Sequence, residues 1–437
     1  MSRRLVAIGF ALVAAGGLGG RWFALRAAAV PAVERMTPER LDQAIAYIDR
    51  ALAGDPRNPM LKGQLIGRLI LRFGQQADLG DLVRAEDLAA SAVALASDKG
   101  SALARLSGVM LMQHKFGLAL ATAETALAAD SSSADAHGAR LEAAIAAGQY
   151  RVADAEAARL DQTTLAGLVR RAMWLDASGN TPTARQLMTQ ACRQIEHSGG
   201  EPQVTAWCLT QLAGLVHTTA GPDQARRLLE RVLELAPGYR GAVEGLANLA
   251  LAQGDIPAAI QDYRTIRSDA HPDLYLRLAD AYRQAGQVDS AAAAERRFLA
   301  IAGVPANEAL FGNVLALYYA ERGDRPALDS ALAITAREIV RRPTNESFDL
   351  LAWVHFRRGE FVAALSAANR TSLWGSAGPT MQYHRARILA SLGRKAEARR
   401  VLAAATAAPT LLAPHAHRDW RLSEALEPSQ PALFHGQ

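Results

Sequence analysis

Apolar and small side chains recur along most of the chain at the three-to-four-residue spacing of amphipathic helices, and these helices come in pairs. In one copy, Leu246 and Ala250 fall on one helical stripe, Gly254 marks a turn, and Ala259 and Tyr263 fall on a second stripe. Three copies are clear: residues 242–266, 275–301 and 348–371. The pattern predicts a series of helix–turn–helix units whose small residues allow close helix packing.

A second regular spacing of residues occurs within the second helix of these helix pairs. The spacing begins with a small residue early in the second helix. An apolar residue follows four positions later, and a small or branched residue three positions after that. Proline or serine comes five positions further on. Three stretches keep this spacing: Ala44, Ile48, Ala51 and Pro56; Ala119, Ala123, Ala126 and Ser131; and Ala225, Leu229, Val232 and Pro237. The spacing resembles that of the tetratricopeptide repeat (TPR), a helix–turn–helix unit of about 34 residues.

The resemblance extends over nearly the whole chain after its first thirty residues, and it implies an all-α superhelical solenoid of about ten to eleven TPR-like repeats. We expect the solenoid to occupy residues 31–410, with a leading half-repeat that starts at Thr37-Pro38. Residues 411–437 are expected to form a capping helix, at 418–426, and a tail. Extra residues at 73–85 and 323–331 are expected to form longer loops.

The N-terminus has the composition of a targeting segment. Arg3 and Arg4 precede an uncharged run at 5–20, and small residues follow at 27–29. Residues 1–30 are therefore predicted to be a signal peptide or a signal anchor, which leaves the chain exported to the periplasm or anchored to the inner membrane with the repeats outside the cytoplasm. The alternative is the buried first helix of a cytoplasmic protein. Exported bacterial proteins with many TPR units are the nearest resemblance.

The charge distribution argues against nucleic-acid binding. The formal net charge is +5, but Arg3, Arg4, Arg21 and Arg26 contribute four of these charges, and no acidic residue occurs before residue 31. The rest of the chain is nearly neutral and has no stripe of basic and aromatic residues of the kind that contacts phosphates. We expect no nucleic-acid partner, and membrane contact only through the N-terminal segment.

Sequence motifs for catalysis are missing. The chain contains no HExxH, no GxxxxGK[ST], no GxSxG and no GxGxxG after a strand. His415 and His417 offer only two histidine ligands in the tail, which is too few for a metal site. We therefore expect neither an enzyme nor a bound cofactor or metal ion.

The family resemblance implies a concave groove lined by the first helix of each repeat, which holds a protein or peptide segment. At the groove-facing places of the C-terminal repeats, the candidate partner-binding residues are Asp280, Arg283, Asp349, Trp353, Phe356, Arg357, Tyr383 and Arg387. Aromatic and arginine side chains dominate binding hot spots. The alternative is that Trp353 fills the core between repeats and the charged residues only solvate the surface.

The two cysteines each lie eight residues from Gly200, in consecutive helices. Antiparallel packing would place Cys192 and Cys208 at the same height, so a disulfide is possible; two buried thiols are the alternative. The functional hypothesis is a scaffold or adaptor that binds a protein segment in its groove during assembly of a cell-envelope complex. The alternative hypothesis is a structural spacer that organises a membrane complex without using the groove.

Overall fold

Helices account for nearly all of the secondary structure. The computed structural model describes residues 38–76, 78–200, 202–266, 271–371, 378–407 and residue 416, and no strand occurs within these ranges. The predicted signal or anchor segment and the predicted capping helix lie outside the described residues. So do His415 and His417.

The described ranges contain 21 α-helices of 8 to 19 residues. The first eleven are α1 (Pro38–Gly54), α2 (Pro59–Gln76), α3 (Leu79–Leu95), α4 (Lys99–Met112), α5 (Phe116–Ala129), α6 (Ala134–Ala146), α7 (Tyr150–Ala157), α8 (Leu165–Ala177), α9 (Thr181–His197), α10 (Pro202–Ala220) and α11 (Pro222–Leu235). The others are α12 (Arg240–Gln253), α13 (Ile256–Thr265), α14 (Asp273–Gln284), α15 (Val288–Ala302), α16 (Glu308–Arg322), α17 (Arg325–Arg341), α18 (Asn345–Arg357), α19 (Phe361–Arg370), α20 (Pro379–Ser391) and α21 (Lys395–Thr406).

The helices form ten consecutive pairs after the leading helix α1, and each packs against its neighbours in the chain. Repeat 1 is α2 with α3, and repeat 10 is α20 with α21. The predicted all-α solenoid with a leading half-repeat is therefore confirmed, and α1 begins at Pro38 as expected. Small residues of the repeat spacing, such as Ala119, Ala123 and Ala126 on α5, are fully buried where helices meet.

Local sequence signals explain where many of the helices begin. A side-chain oxygen of the residue before the helix accepts a hydrogen bond from a backbone N–H of the first turn, which satisfies a group that has no partner within the helix. The residues that act in this way include Asp98 before α4, Ser133 before α6, Asn180 before α9, Asp255 before α13, Asp324 before α17 and Thr344 before α18.

The predicted longer loops are wrong. Helix α2 ends at Gln76 and α3 begins at Leu79, while α16 ends at Arg322 and α17 begins at Arg325. The extra residues lengthen the helices instead: α2 has 18 residues and α3 and α17 have 17 each. Added residues of high helix propensity extend a helix by further intrahelical hydrogen bonds, so they need not form a loop.

Successive turns of the superhelix touch edge to edge. Turns within repeats 1 to 3 pack against later repeats: Leu79 packs against an apolar cluster formed by α15 to α18, and Phe116 packs beneath Arg342. The backbone N–H of Asn345 donates to the hydroxyl of Tyr150 over 3.4 Å. One superhelical turn therefore takes about six repeats. We call the surface formed by residues 114–116, 148–150, 308–310 and 342–345 the inter-turn contact.

In three successive repeats, the residue covered by the next superhelical turn occupies the same helix position. Leu79, Phe116 and Tyr150 are each the first residue of the second helix in repeats 1, 2 and 3. In repeats 4 and 5 the same place holds Thr181 and Pro222. In repeats 1 to 3 the large apolar residue at this position is covered by the next superhelical turn.

Close packing buries at least one full turn in each of two first helices. In α6 every residue from Leu141 to Ala146 is buried, and in α18 every residue from Ser347 to Leu350 is buried. A helical turn without an exposed face has no surface left for a groove. The inner surface is therefore closed at these turns of α6 and α18, while the last turn of α18 stays partly exposed. Among the described residues, no helix combines the length and apolarity needed to cross a membrane.

Candidate partner-binding surface

Six of the predicted site residues come together where α18 packs against α20. The rings of Phe356 and Trp353 stack at 4.9 Å between centroids, and the ring of His384 stacks on Trp353 at 4.2 Å. The Arg387 guanidinium lies 5.6 Å from the centroid of Phe356 and 5.9 Å from that of Tyr383. Because α18 and α20 are the first helices of repeats 9 and 10, the cluster joins two repeats.

Half of this cluster lies inside the protein. Trp353, Asp349 and Tyr383 are each only 2% exposed. Both carboxylate oxygens of Asp349 lie 3.0 Å from Nδ1 of His384, which is 1% exposed. The prediction that these three residues line an open groove needs correction, because the next repeat covers them. The alternative stated for Trp353, a place in the core between repeats, is where the structure puts it.

Polar contacts fix the position of Trp353. Its indole N–H donates to Oε1 of Glu321 on α16 over 2.8 Å, and Nη1 of Arg357 donates to the same oxygen over 3.1 Å. A second guanidinium nitrogen of Arg357 donates to the backbone oxygen of Glu321. The buried indole N–H is thus satisfied, as a buried donor must be to avoid a desolvation cost.

The exposed part of the cluster is an aromatic ring flanked by two cations. Phe356, Arg357 and Arg387 are partly exposed, and Arg387 also donates to the hydroxyl of Tyr383 over 2.9 Å. The buried stack of Trp353 and His384 supports Phe356 from below. The result is a rigid apolar patch bordered by positive charge. We call Phe356, Arg357 and Arg387 the repeat 9–10 patch.

The other two predicted residues lie apart from this patch. On α14, Nη1 of Arg283 bonds Oδ1 of Asp280 over 2.6 Å, and a second nitrogen of Arg283 bonds Glu295 on α15. The two side chains therefore neutralise each other within repeat 7. A neighbouring polar group, missed from the sequence, links repeats 6 and 7: Asn248 accepts a hydrogen bond from the Tyr263 hydroxyl over 2.6 Å and another from Arg277 over 3.4 Å.

Cys192 and Cys208 form a disulfide that joins α9 to α10, with their Cα atoms 5.6 Å apart. Both are buried in the largest apolar cluster, next to Met188. The bond connects the second helix of repeat 4 to the first helix of repeat 5. It therefore links two consecutive repeats covalently at the middle of the chain.

Comparison with known proteins agrees with the architecture. Residues 220–273 and 245–308 match the tetratricopeptide repeat family model. No curated protein sequence matches the chain. In the part of the chain that the structure describes, no three His, Cys, Asp or Glu side chains are grouped so that they could hold a metal ion.

Solved structures with similar architecture share little sequence with this chain. PilF of Pseudomonas aeruginosa is 19% identical over 47% of this chain and 92% of PilF, with a TM-score of 0.37. Yeast Tom70 is 13% identical over 89% of this chain and 94% of Tom70, with a TM-score of 0.34. Human IFIT1, solved with m7Gppp-AAAA, is 12% identical over 84% of this chain and 94% of IFIT1, with a TM-score of 0.44. These matches carry no information on a partner.

Proposed function

We propose that the chain is a protein-interaction scaffold that binds a segment of a partner protein on the repeat 9–10 patch, during assembly of a cell-envelope complex. The observation that carries this proposal is the partly exposed Phe356 ring, stacked on buried Trp353 and covered at one edge by Arg387. Repeats of the matched family generally mediate protein–protein interactions, which supports a binding role.

The chemistry of the patch defines the segment it fits. An aromatic ring held by a buried stack loses little side-chain entropy on binding, and arginine supplies several N–H donors in a fixed plane. A positive charge at the edge of an apolar surface favours a partner carboxylate there. The matching segment carries an apolar side chain close to an Asp or Glu.

The cellular location is part of the proposal and rests on residues 1–30. Their paired arginines, uncharged run and small residues support export to the periplasm or anchoring to the inner membrane. The test is a fusion of residues 1–36 to a reporter enzyme that is active only outside the cytoplasm. Activity that disappears when Leu5 to Gly20 is deleted supports export, whereas an inactive, stable fusion contradicts it.

One observation favours the spacer alternative. Residues 141–146 of α6 and 347–350 of α18 are buried all round, so the inner surface is closed at these two places. A chain with a closed inner surface can hold other proteins at its ends and edges. The patch variants below distinguish the two functions, because a spacer does not need Arg387.

The test is crosslinking and affinity capture from the cell envelope, with Arg357→Glu/Arg387→Glu compared with wild type and captured proteins identified by mass spectrometry. Arg370→Glu is the matched control: its guanidinium also lies over a phenylalanine, Phe348, at 4.2 Å, but on α19, outside the patch. A partner that binds wild type and the control, but not the folded double variant, supports the scaffold. Identical partners for all three proteins support the spacer.

A further inference from the structure

The turn between the paired helices of repeat 2 differs from those of repeats 3 to 10. In repeats 3 to 10 this turn contains a glycine with positive φ: Gly148, Gly179, Gly221, Gly254, Gly286, Gly323, Gly359 and Gly393. In repeat 2 the same place holds His114, with φ of 57°. Among the described residues it is the only one with positive φ that is not glycine. Repeats 3 to 10 have glycine at this strained position. A histidine side chain retained there points to a role for the imidazole ring.

The ring of His114 lies inside the inter-turn contact. The residue is 6% exposed, and its ring stacks on Phe116 at 5.2 Å between centroids. The Arg342 guanidinium, from the other superhelical turn, lies 5.0 Å from the centroid of the same Phe116. Nδ1 of His114 is buried and has no hydrogen-bond partner. The imidazole is therefore enclosed by the two turns that it joins.

Among the described residues, none of the charges that act most strongly on this imidazole belongs to a carboxylate. From the other turn, Arg341 and Arg342 face it, and Glu338 is paired with both of them. Glu308, at the start of α16, is bonded to Arg337. On the near side, Lys115 is paired with Glu86 of α3. A protonated His114 would thus add a buried positive charge beside Arg342.

We propose that the inter-turn contact is an acid-sensitive clasp: neutral His114 allows successive superhelical turns to close on each other, and protonation of His114 separates them. The device is a property of the fold and does not depend on the proposed partner. Opening would expose the edges that Phe116, Tyr150 and Asn345 bury in the closed form, and with them part of α18.

The direction of the pH effect follows from the electrostatics. Burial, and then the charge of Arg342, lower the pKa of His114 from 6.5 to about 3, against the opposing effect of the Leu310 and Ala309 carbonyls. In the open form the ring is solvated and its pKa returns towards 6.5. Between about pH 6.5 and pH 3 the open form binds one more proton, so the closing equilibrium weakens about tenfold per pH unit as pH falls.

The test measures the separation of the two turns in the full chain. Leu118 on α5 is 59% exposed and Val340 on α17 is 87% exposed, so L118C/V340C accepts a pair of spin labels without disturbing the core. Between pH 7.5 and pH 4.5 the closing equilibrium constant should fall about 100-fold, seen as growth of a longer-distance population. A second labelled pair, V288C/V304C, flanks α15 and should keep its distance if the helices remain folded.

Two histidine variants decide the role of His114. His114→Asn keeps a residue that tolerates positive φ but cannot become charged, and His114→Gly restores the residue of the other repeats. Either variant should remove the growth of the longer distance at low pH. The matched control His217→Asn alters a half-buried histidine on α10 whose pKa burial also lowers, and it should leave the growth unchanged. The proposal is overturned if the wild-type distance stays constant to pH 4.5, or if both His114 variants open like wild type.

Discussion

Gly138 on α6 and Arg170 on α8 depend on each other, because a Cβ atom at residue 138 would lie 2.1 Å from Cζ of Arg170. The missing side chain makes room for a guanidinium that is 5% exposed. Nε of Arg170 donates to Oε1 of Glu142, itself 3% exposed, over 2.8 Å. Burial raises the pKa of Glu142, and Arg170 opposes this rise. The glycine thus permits an ion pair that joins repeats 3 and 4.

Gly138→Ala should therefore destabilise the protein although alanine favours helices. The methyl group would displace the buried guanidinium, and a buried charge separated from its partner costs several kcal/mol. We expect a net loss of about 2 kcal/mol in unfolding free energy after the helix-propensity gain of about 1 kcal/mol. Denaturant unfolding measures it. Gly67→Ala in α2, where nothing lies within 4 Å of the new Cβ, is the control and should be neutral or stabilising.

The order of helices could be predicted from the sequence because each repeat is a local unit. The spacing of small residues determines where paired helices pack, and α5 buries Ala119, Ala123 and Ala126 as that spacing requires. That spacing predicts ten helix pairs and a leading helix. Whether extra residues form a loop or extend a helix was predicted wrongly at 73–85, since only the turn residues distinguish the two.

The exposure of the site residues could not be predicted from one repeat. Trp353 and Arg357 occupy similar faces of α18, yet Trp353 is covered by His384 from the next repeat and Arg357 is not. Burial there depends on the angle between repeats. The burial of His114 depends on Arg342, which is far away in sequence and comes close only because the superhelix completes a turn. Neither relationship leaves a signal in a single repeat.

Trp353→Ala should report on folding rather than on binding. Removing the largest fully buried side chain leaves a cavity and deprives Glu321 of its indole donor. The expected loss is about 4 kcal/mol in unfolding free energy. Arg387→Glu, at the partly exposed edge of the same cluster, should change stability by no more than about 1 kcal/mol. Thermal and denaturant unfolding test both. Similar losses for the two variants would show that the patch has no separable surface.

The disulfide should contribute more to stability than to the native geometry of its neighbours. Cys192 and Cys208 are 16 residues apart, and a bridge closing a loop of this size stabilises by about 3 kcal/mol, mainly by restricting the unfolded chain. Cys192→Ala/Cys208→Ala should lose about this amount in oxidising buffer. The variant should be insensitive to reductant, whereas wild type should weaken to its level when reduced. Equal stability of wild type with and without reductant would contradict the expectation.

The inter-turn contact can be tested at neutral pH through Gly148, which has φ of 72° and lies against the other superhelical turn. A Cβ there would be 2.8 Å from the Pro343 backbone oxygen, so Gly148→Ala should force the two turns apart. Gly199→Ala is the matched control, because Gly199 has φ of 68° and nothing within 4 Å of the new Cβ. Both variants should lose about 1 kcal/mol from the strained backbone.

Only Gly148→Ala should also raise the radius of gyration in small-angle X-ray scattering and speed hydrogen exchange at the Asn345 amide, which donates to the Tyr150 hydroxyl across the contact. If Gly148→Ala and Gly199→Ala give the same radius and the same Asn345 exchange rate, successive turns of the superhelix are not held closed in solution. In that case each repeat is stabilised by its sequence neighbours alone, and His114 has no clasp to control.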